Sequence, residues 1–205
     1  MNELIAVALI TILATISPGP DFAMVTRNSY LFGRKSGIFA AIGIALGVQV
    51  HVFYTMFGIG LLIAHSPTLF TVIKIIGAAY LVYIGWKTFF NRSKLEIDMK
   101  QGAPISAFAA LRTGFLTNAL NPKTTLFVVS TYTQVVHPDT PWLAQFGYGL
   151  FMSVAHLVWF GLVAIFFSQH ALRARLLNYQ SAVDKVIGAV LIGLGISLAF
   201  ANLAR

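Results

Sequence analysis

Six long apolar runs separated by short polar links set the pattern of this chain. They cover Leu4–Val25, Ile38–Ala64, Leu69–Phe90, Gly114–Val136, Trp142–Phe167 and Val183–Leu203. Each is long enough to cross a hydrocarbon core of about 30 Å as a helix, which takes about 20 residues. None shows the period-two alternation of a membrane strand. Backbone amides and carbonyls in lipid must find partners inside the protein, and a helix supplies them within one segment. The pattern predicts an all-α, polytopic membrane protein with six transmembrane helices.

Composition narrows the classes further. Of 205 residues, 58% are hydrophobic and 10% are charged, and the mean hydropathy is +0.80. A soluble domain carries about a quarter charged residues, so a soluble enzyme, a secreted module and a disordered chain are excluded. There is no cysteine, hence no disulfide framework or thiolate metal site. The opening Met1-Asn2-Glu3-Leu4 lacks the basic stretch of a cleavable leader, so the first run is expected to be a permanent span.

The net charge of +8 would suggest a nucleic-acid partner in a soluble protein. Here the basic residues lie between apolar runs, and no such partner is expected. Arg27, Arg34 and Lys35 follow the first run. Lys87, Arg92, Lys94, Lys100 and Arg112 cluster after the third, and Arg173, Arg175 and Lys185 after the fifth. These are 11 of the 14 Lys and Arg residues. The opposite links, His65-Ser66-Pro67 and His137-Pro138-Asp139-Thr140-Pro141, hold none. The positive-inside rule then puts the basic links in the cytoplasm and both termini outside, on the periplasmic face.

The polar stretch from Asn91 to Ala103 is long enough to join two halves of one transmembrane domain spanning 1–205. Half one covers about 1–90, a cytoplasmic linker about 91–113 and half two about 114–205. Three spans per half make the second enter the membrane upside down. Two inverted three-helix halves are a common build for secondary transporters.

Two of the runs contain helix breakers. Ser17-Pro18-Gly19-Pro20-Asp21 places two prolines around a glycine in the first, removing two backbone donors and loosening the chain. Asn118-Ala119-Leu120-Asn121-Pro122-Lys123 interrupts the fourth. Each half thus opens with a broken helix carrying one ionisable group, Asp21 or Lys123. Freed backbone groups at such breaks bind ions or zwitterions; Asp21 suits an ammonium and Lys123 a carboxylate, a match to a free amino acid. Simpler readings stand beside this one: Pro122 as a mere kink, Asp21 in the headgroup layer, Lys123 snorkelling, or the two charges paired as structural glue.

Other features are read structurally. Gly43 and Gly47 form a small-residue face for close helix packing. His51 and His156 could relay protons or bind a metal, but neither has a second ligand one turn away and both read as core histidines, so no metal site is expected. Thr124, Thr125, Ser130, Thr131 and Thr133 line a pathway or bond their own backbone. Trp142 and Tyr148 read as interface anchors. Paired intramembrane carboxylates, a His-Glu-x-x-His helix and a serine elbow are all missing from the sequence, so no enzyme and no cofactor are expected.

With these residues in place, the chain resembles the LysE/RhtB family of amino-acid exporters over nearly its whole length. The resemblance rests on Ser17-Pro18-Gly19-Pro20-Asp21, on Gly77-Ala78-Ala79-Tyr80-Leu81 with Gly85, and on Leu116-Thr117-Asn118-Ala119-Leu120-Asn121-Pro122-Lys123. It implies a multi-pass protein of the bacterial inner membrane that exports amino acids or their derivatives from the cytoplasm by proton antiport, with threonine and homoserine exporters as its nearest branch. Partners would be the amino acid, protons and the bilayer, the oligomeric state staying open, a homo-oligomer included. The transport residues would be Ser17, Pro18, Gly19, Pro20, Asp21, Asn118, Asn121, Pro122 and Lys123. Two other classes stay in view: an exporter of a metal cation or other inorganic ion, and a membrane assembly protein without transport.

Overall fold

The computed structural model describes residues 3–90, 105–137, 139–168, 181–182, 185–196 and 199. Its named helices are α1 (Glu3–Ile16), α2 (Pro20–His65), α3 (Pro67–Phe89), α4 (Ala107–Ala119), α5 (Pro122–Gln134) and α6 (Trp142–Phe167), followed by α7 (Lys185–Ile196). Among the described residues there is no strand. The linker Asn91–Ala103, Arg173 and Arg175 lie outside the described residues.

The helix boundaries depart from the apolar runs in three places, each for a local reason. First, α1 stops at Ile16 and the remainder of its run, from Pro20, opens α2. Second, the stretch with Arg27, Arg34 and Lys35, expected as a link between spans, is helical. It holds no proline, and Gly33 bends the chain there at φ 83 and ψ 170, a conformation only glycine adopts readily, while helix continues on both sides. Third, α4 starts earlier than its apolar run because Ser106 caps it, its side-chain oxygen accepting from the Ala109 amide at 3.1 Å. Arg112 therefore sits in a helix, not in the linker. In α3 the same device recurs, with Ser66 as cap and Pro67 in the first turn.

Pro20–Gly58 and Trp142–Phe167 are long and apolar enough to cross a membrane. The middle of α2 lies against α4 and α6. Close approach of α2 and α4 depends on glycine: a methyl group at Gly43 would strike the backbone of Leu111 and Phe115, one at Gly47 would meet Asn118, and one at Gly114 would strike the Ala40 carbonyl. With no side chain in the way, the two backbones touch, and Asn118, one turn beyond Gly114, is seated on α2. Apolar packing closes the rest of the interior. Val7, Ile10, Val48, Val52, Val128 and Met152 fill one cluster, and Val25, Ile44, Phe160 and Val163 another. Large apolar side chains such as Phe57, Ile75, Trp86 and Leu143 face outward, as lipid as a solvent permits.

Candidate functional site

Both breaks exist, and they meet. Between α1 and α2, Ser17, Pro18 and Gly19 leave helical geometry; Pro18 and Pro20 cannot donate to the carbonyls four residues back. Between α4 and α5 the chain leaves the helix at Leu120 and Asn121. Pro122 deprives the Asn118 carbonyl of its helical partner, and that carbonyl is instead satisfied by the Asn121 amide at 2.8 Å and by His51 Nε2 at 2.9 Å. A carbonyl only accepts, so His51 carries its proton on Nε2. In the neutral ring Nδ1 then accepts from the Tyr54 hydroxyl at 2.8 Å.

Asp21 stands where the breaks touch. It is only 6% exposed. Its Oδ2 accepts from Asn118 Nδ2 at 2.9 Å and from Asn121 Nδ2 at 3.0 Å, while Oδ1 is buried with no hydrogen-bond partner among the described residues. Asn118 Nδ2 also donates to Thr124 Oγ1 at 3.2 Å. From the start of α5, Lys123 Nζ donates to the Ser17 carbonyl in the other break, and its charge acts on Asp21. Asn121 caps α5 through Oδ1, which accepts from the Lys123 amide at 3.0 Å. The Ser17 hydroxyl is bonded to that of Thr88 on α3 at 3.0 Å.

Two cavities flank this knot. The larger offers about 420 Å³ to the centre of a water molecule and is lined by Ser17, Pro18, Gly19, Pro20, Asn121, Pro122 and Lys123 from the breaks. The smaller, about 20 Å³ on the same measure, is lined by Ser17, Gly19, Asp21, Asn121 and Lys123 among others. Ser17, Gly19, Asn121 and Lys123 form the wall they share. The structure thus brings together all nine residues singled out in the sequence, with Asn118 held against Asp21 behind the wall. Asp21 does not line the larger cavity.

Other residues at the site escaped the sequence reading. Tyr80, Tyr83, Ile84, Lys87 and Thr88 give α3 one whole side of the larger cavity. Their spacing of three and four places them on one helical face, a signal present in the sequence. His51 and His156, read as core histidines, respectively touch the second break and line the smaller cavity. Tyr148, read as an interface anchor, donates to Glu3 at 3.0 Å.

Two broken helices thus meet at a buried, half-satisfied carboxylate beside a lysine. The family model described as LysE type translocator matches residues 12–202, and the chain belongs to that family. It is similar to the uncharacterized membrane protein YrhP of Bacillus subtilis (strain 168), 31% identical over 206 residues that cover 96% of this chain and 98% of the relative. It is similar also to the threonine efflux protein of Escherichia coli (strain K12), 29% identical over 197 residues, 95% of this chain and 96% of the relative. No solved structure matches the chain. The protein is therefore a membrane protein of a transporter family.

Proposed function

We propose that this protein is a secondary transporter that exports amino acids of the threonine or homoserine type from the bacterial cytoplasm, exchanging them for protons. The observation that carries the proposal is Asp21: a buried carboxylate with one oxygen fixed by two amides and the other left over, beside Lys123, at the meeting of two helix breaks. The name of the threonine efflux relative supports the substrate class. A cavity of about 420 Å³ suits a small molecule, since such sites run from about 300 to 1,000 Å³.

The mechanism follows from what one oxygen can do. Asp21 Oδ1 takes either a proton or an N–H of the substrate ammonium, not both, and that exclusion makes the two ligands alternate. Lys123 leaves the Ser17 carbonyl to meet the substrate carboxylate, and in leaving it opens the wall between Asp21 and the larger cavity. Asn118 and Asn121 keep the carboxylate aimed, and Ser17 and Thr88 offer neutral hydrogen bonds. Gly19, Pro18, Pro20 and Pro122 keep the backbone out of helical register. The order of elements supports two inverted halves: α1 with the part of α2 before Gly33, the rest of α2, and α3 follow the same order as α4 with α5, α6, and α7. The basic residues favour an inner-membrane protein with both termini periplasmic.

Export of a metal cation has less support, because hard cations want several oxygen ligands and no group of three His, Asp or Glu residues stands together among the described residues. Purified protein in vesicles loaded with labelled amino acids tests the proposal. A pH gradient is expected to drive threonine or a close analogue out of wild-type vesicles and not out of Asp21→Asn vesicles. Failure of every amino acid in the panel to move, or gradient-driven movement in D21N at the wild-type rate, overturns it.

A further inference from the structure

The smaller cavity contains more than the back of the substrate site. Thr15, His156, Phe127 and Phe160 line it as well. His156 is 4% exposed. Its Nδ1 lies 2.8 Å from the Met152 carbonyl one turn back in α6, which only accepts, so Nδ1 bears the hydrogen. The neutral ring therefore presents a lone pair at Nε2, and the Thr15 hydroxyl lies beside the ring, 3.3 Å from Nδ1 and 3.5 Å from Nε2. Asp21 lines the same cavity, and its Oδ1 is buried with no hydrogen-bond partner among the described residues. The cavity's room of about 20 Å³ exceeds the roughly 10–15 Å³ that one water needs. A water here has an imidazole acceptor, a carboxyl group and two hydroxyls, Thr15 and Ser17, within the same lining.

We infer that Asp21 and His156 share one proton through a single water in this cavity, with His156 as the acceptor when substrate displaces the proton from Asp21. The inference rests on the exporter reading for its timing. As the substrate ammonium approaches Oδ1, the carboxyl O–H breaks and its proton passes to the water. The water gives one of its own protons to the Nε2 lone pair. Asp21 becomes carboxylate, the water is regenerated, and His156 becomes a transient imidazolium that gives its proton up to the cytoplasmic side, so that one proton leaves the protein per substrate bound. The charged or titratable groups acting on His156 are Lys123 from α5 and His51 from α2, and the same two act on Asp21. Thr15 is the α1 group that touches the ring.

The test uses His156→Asn, whose side-chain amide can still donate toward the Met152 carbonyl but holds no exchangeable charge. In vesicles, labelled threonine efflux driven by a pH gradient is compared with threonine counterflow without one. The ratio of the two is expected to fall at least tenfold in H156N, whereas a merely structural role lowers both equally. In parallel, infrared spectroscopy of substrate-free protein follows the Asp21 carboxyl band, identified by its loss in D21N. That band is expected to titrate at a different pH in H156N than in wild type. An unchanged ratio, an equal loss of both transport modes, an unchanged carboxyl titration, or a sodium gradient replacing the pH gradient overturns the inference. His156→Gln takes the same tests if H156N does not assemble. Should wild type move no amino acid at all, the exporter reading falls on the vesicle result, while the infrared titration still decides whether Asp21 and His156 are linked.

Discussion

Two carboxylates mark opposite ends of the first helical stretch, and their surroundings differ in kind. Glu3, at the start of α1, uses both oxygens: Oε1 accepts from the His137 amide at 2.9 Å and from Thr140 at 2.8 Å, and Oε2 accepts from Tyr148 at 3.0 Å. His137 adds a ring nitrogen 3.8 Å away. Asp21, past the end of α1, is more deeply buried and has fewer donors, both on one oxygen. Stability alone would favour the reverse, because a buried charge with unmet acceptors is costly. Glu3 ties the α5–α6 link to the start of the chain. In the proposed exporter, the unbonded oxygen of Asp21 takes a proton or an ammonium, whereas the saturated Glu3 only fastens.

Substitutions at the two sites sharpen that contrast. The largest effect is expected at Asp21: D21N keeps the volume and loses the charge, and gradient-driven export should fall about 100-fold or more, as when a charge that binds its partner directly is removed. Thermal stability of the detergent-solubilised protein should hold or rise, since a buried charge disappears. Next comes Lys123→Met, which removes a charged donor worth about 1.5–3 kcal/mol, so the substrate concentration at half-maximal counterflow should rise about 10- to 100-fold. Gly43→Val places a branched side chain against the Leu111 backbone. Overpacking of about 1–3 kcal/mol should lower the thermal midpoint and pull Asn118 off its seat, costing transport without touching an ionisable group.

Glu3 yields the smallest effect and the opposite signature. Burial pushes the Glu3 carboxyl up, and the bonds from the His137 amide, Thr140 and Tyr148 outweigh it, so it titrates below the ordinary carboxylate value. A depressed folded value means that its stabilisation is complete above the ordinary value of about 4.3 and is lost as the pH falls through the folded one. Glu3→Gln should lower the thermal midpoint by a few degrees at neutral pH, flatten its acid dependence, and leave the pH profile of transport unchanged. A transport profile altered in E3Q as it is in D21N would erase the distinction between the two carboxylates.

Much of this arrangement is written locally. Pro18, Pro20 and Pro122 each lack an amide hydrogen, so the breaks are visible without coordinates, and an ionisable group beside each break draws attention in an apolar run. Gly43 and Gly47 likewise announce a close helix contact. What was hidden depends on distance along the chain. His51 serves the Asn118 carbonyl 67 positions away, and nothing near His51 reveals that Pro122 has stripped that carbonyl of its partner. Lys87 reads as one of the basic residues of a link until α3 is set beside the breaks. The basic stretch from Arg27 to Lys35 reads as a link because charge is expected outside the bilayer, yet charge alone does not end a helix, and here only Gly33 bends it.

The central claim is that a proton and a substrate ammonium compete for one oxygen of Asp21. Counting protons on binding tests it most directly: calorimetry of threonine binding to the purified protein, repeated in buffers of different ionisation enthalpy at a pH where Asp21 is protonated, gives the number released per substrate bound. The account predicts close to one proton released by wild type and none by D21N. Threonine binding to wild type with no proton released, or with the same release from D21N, would contradict it.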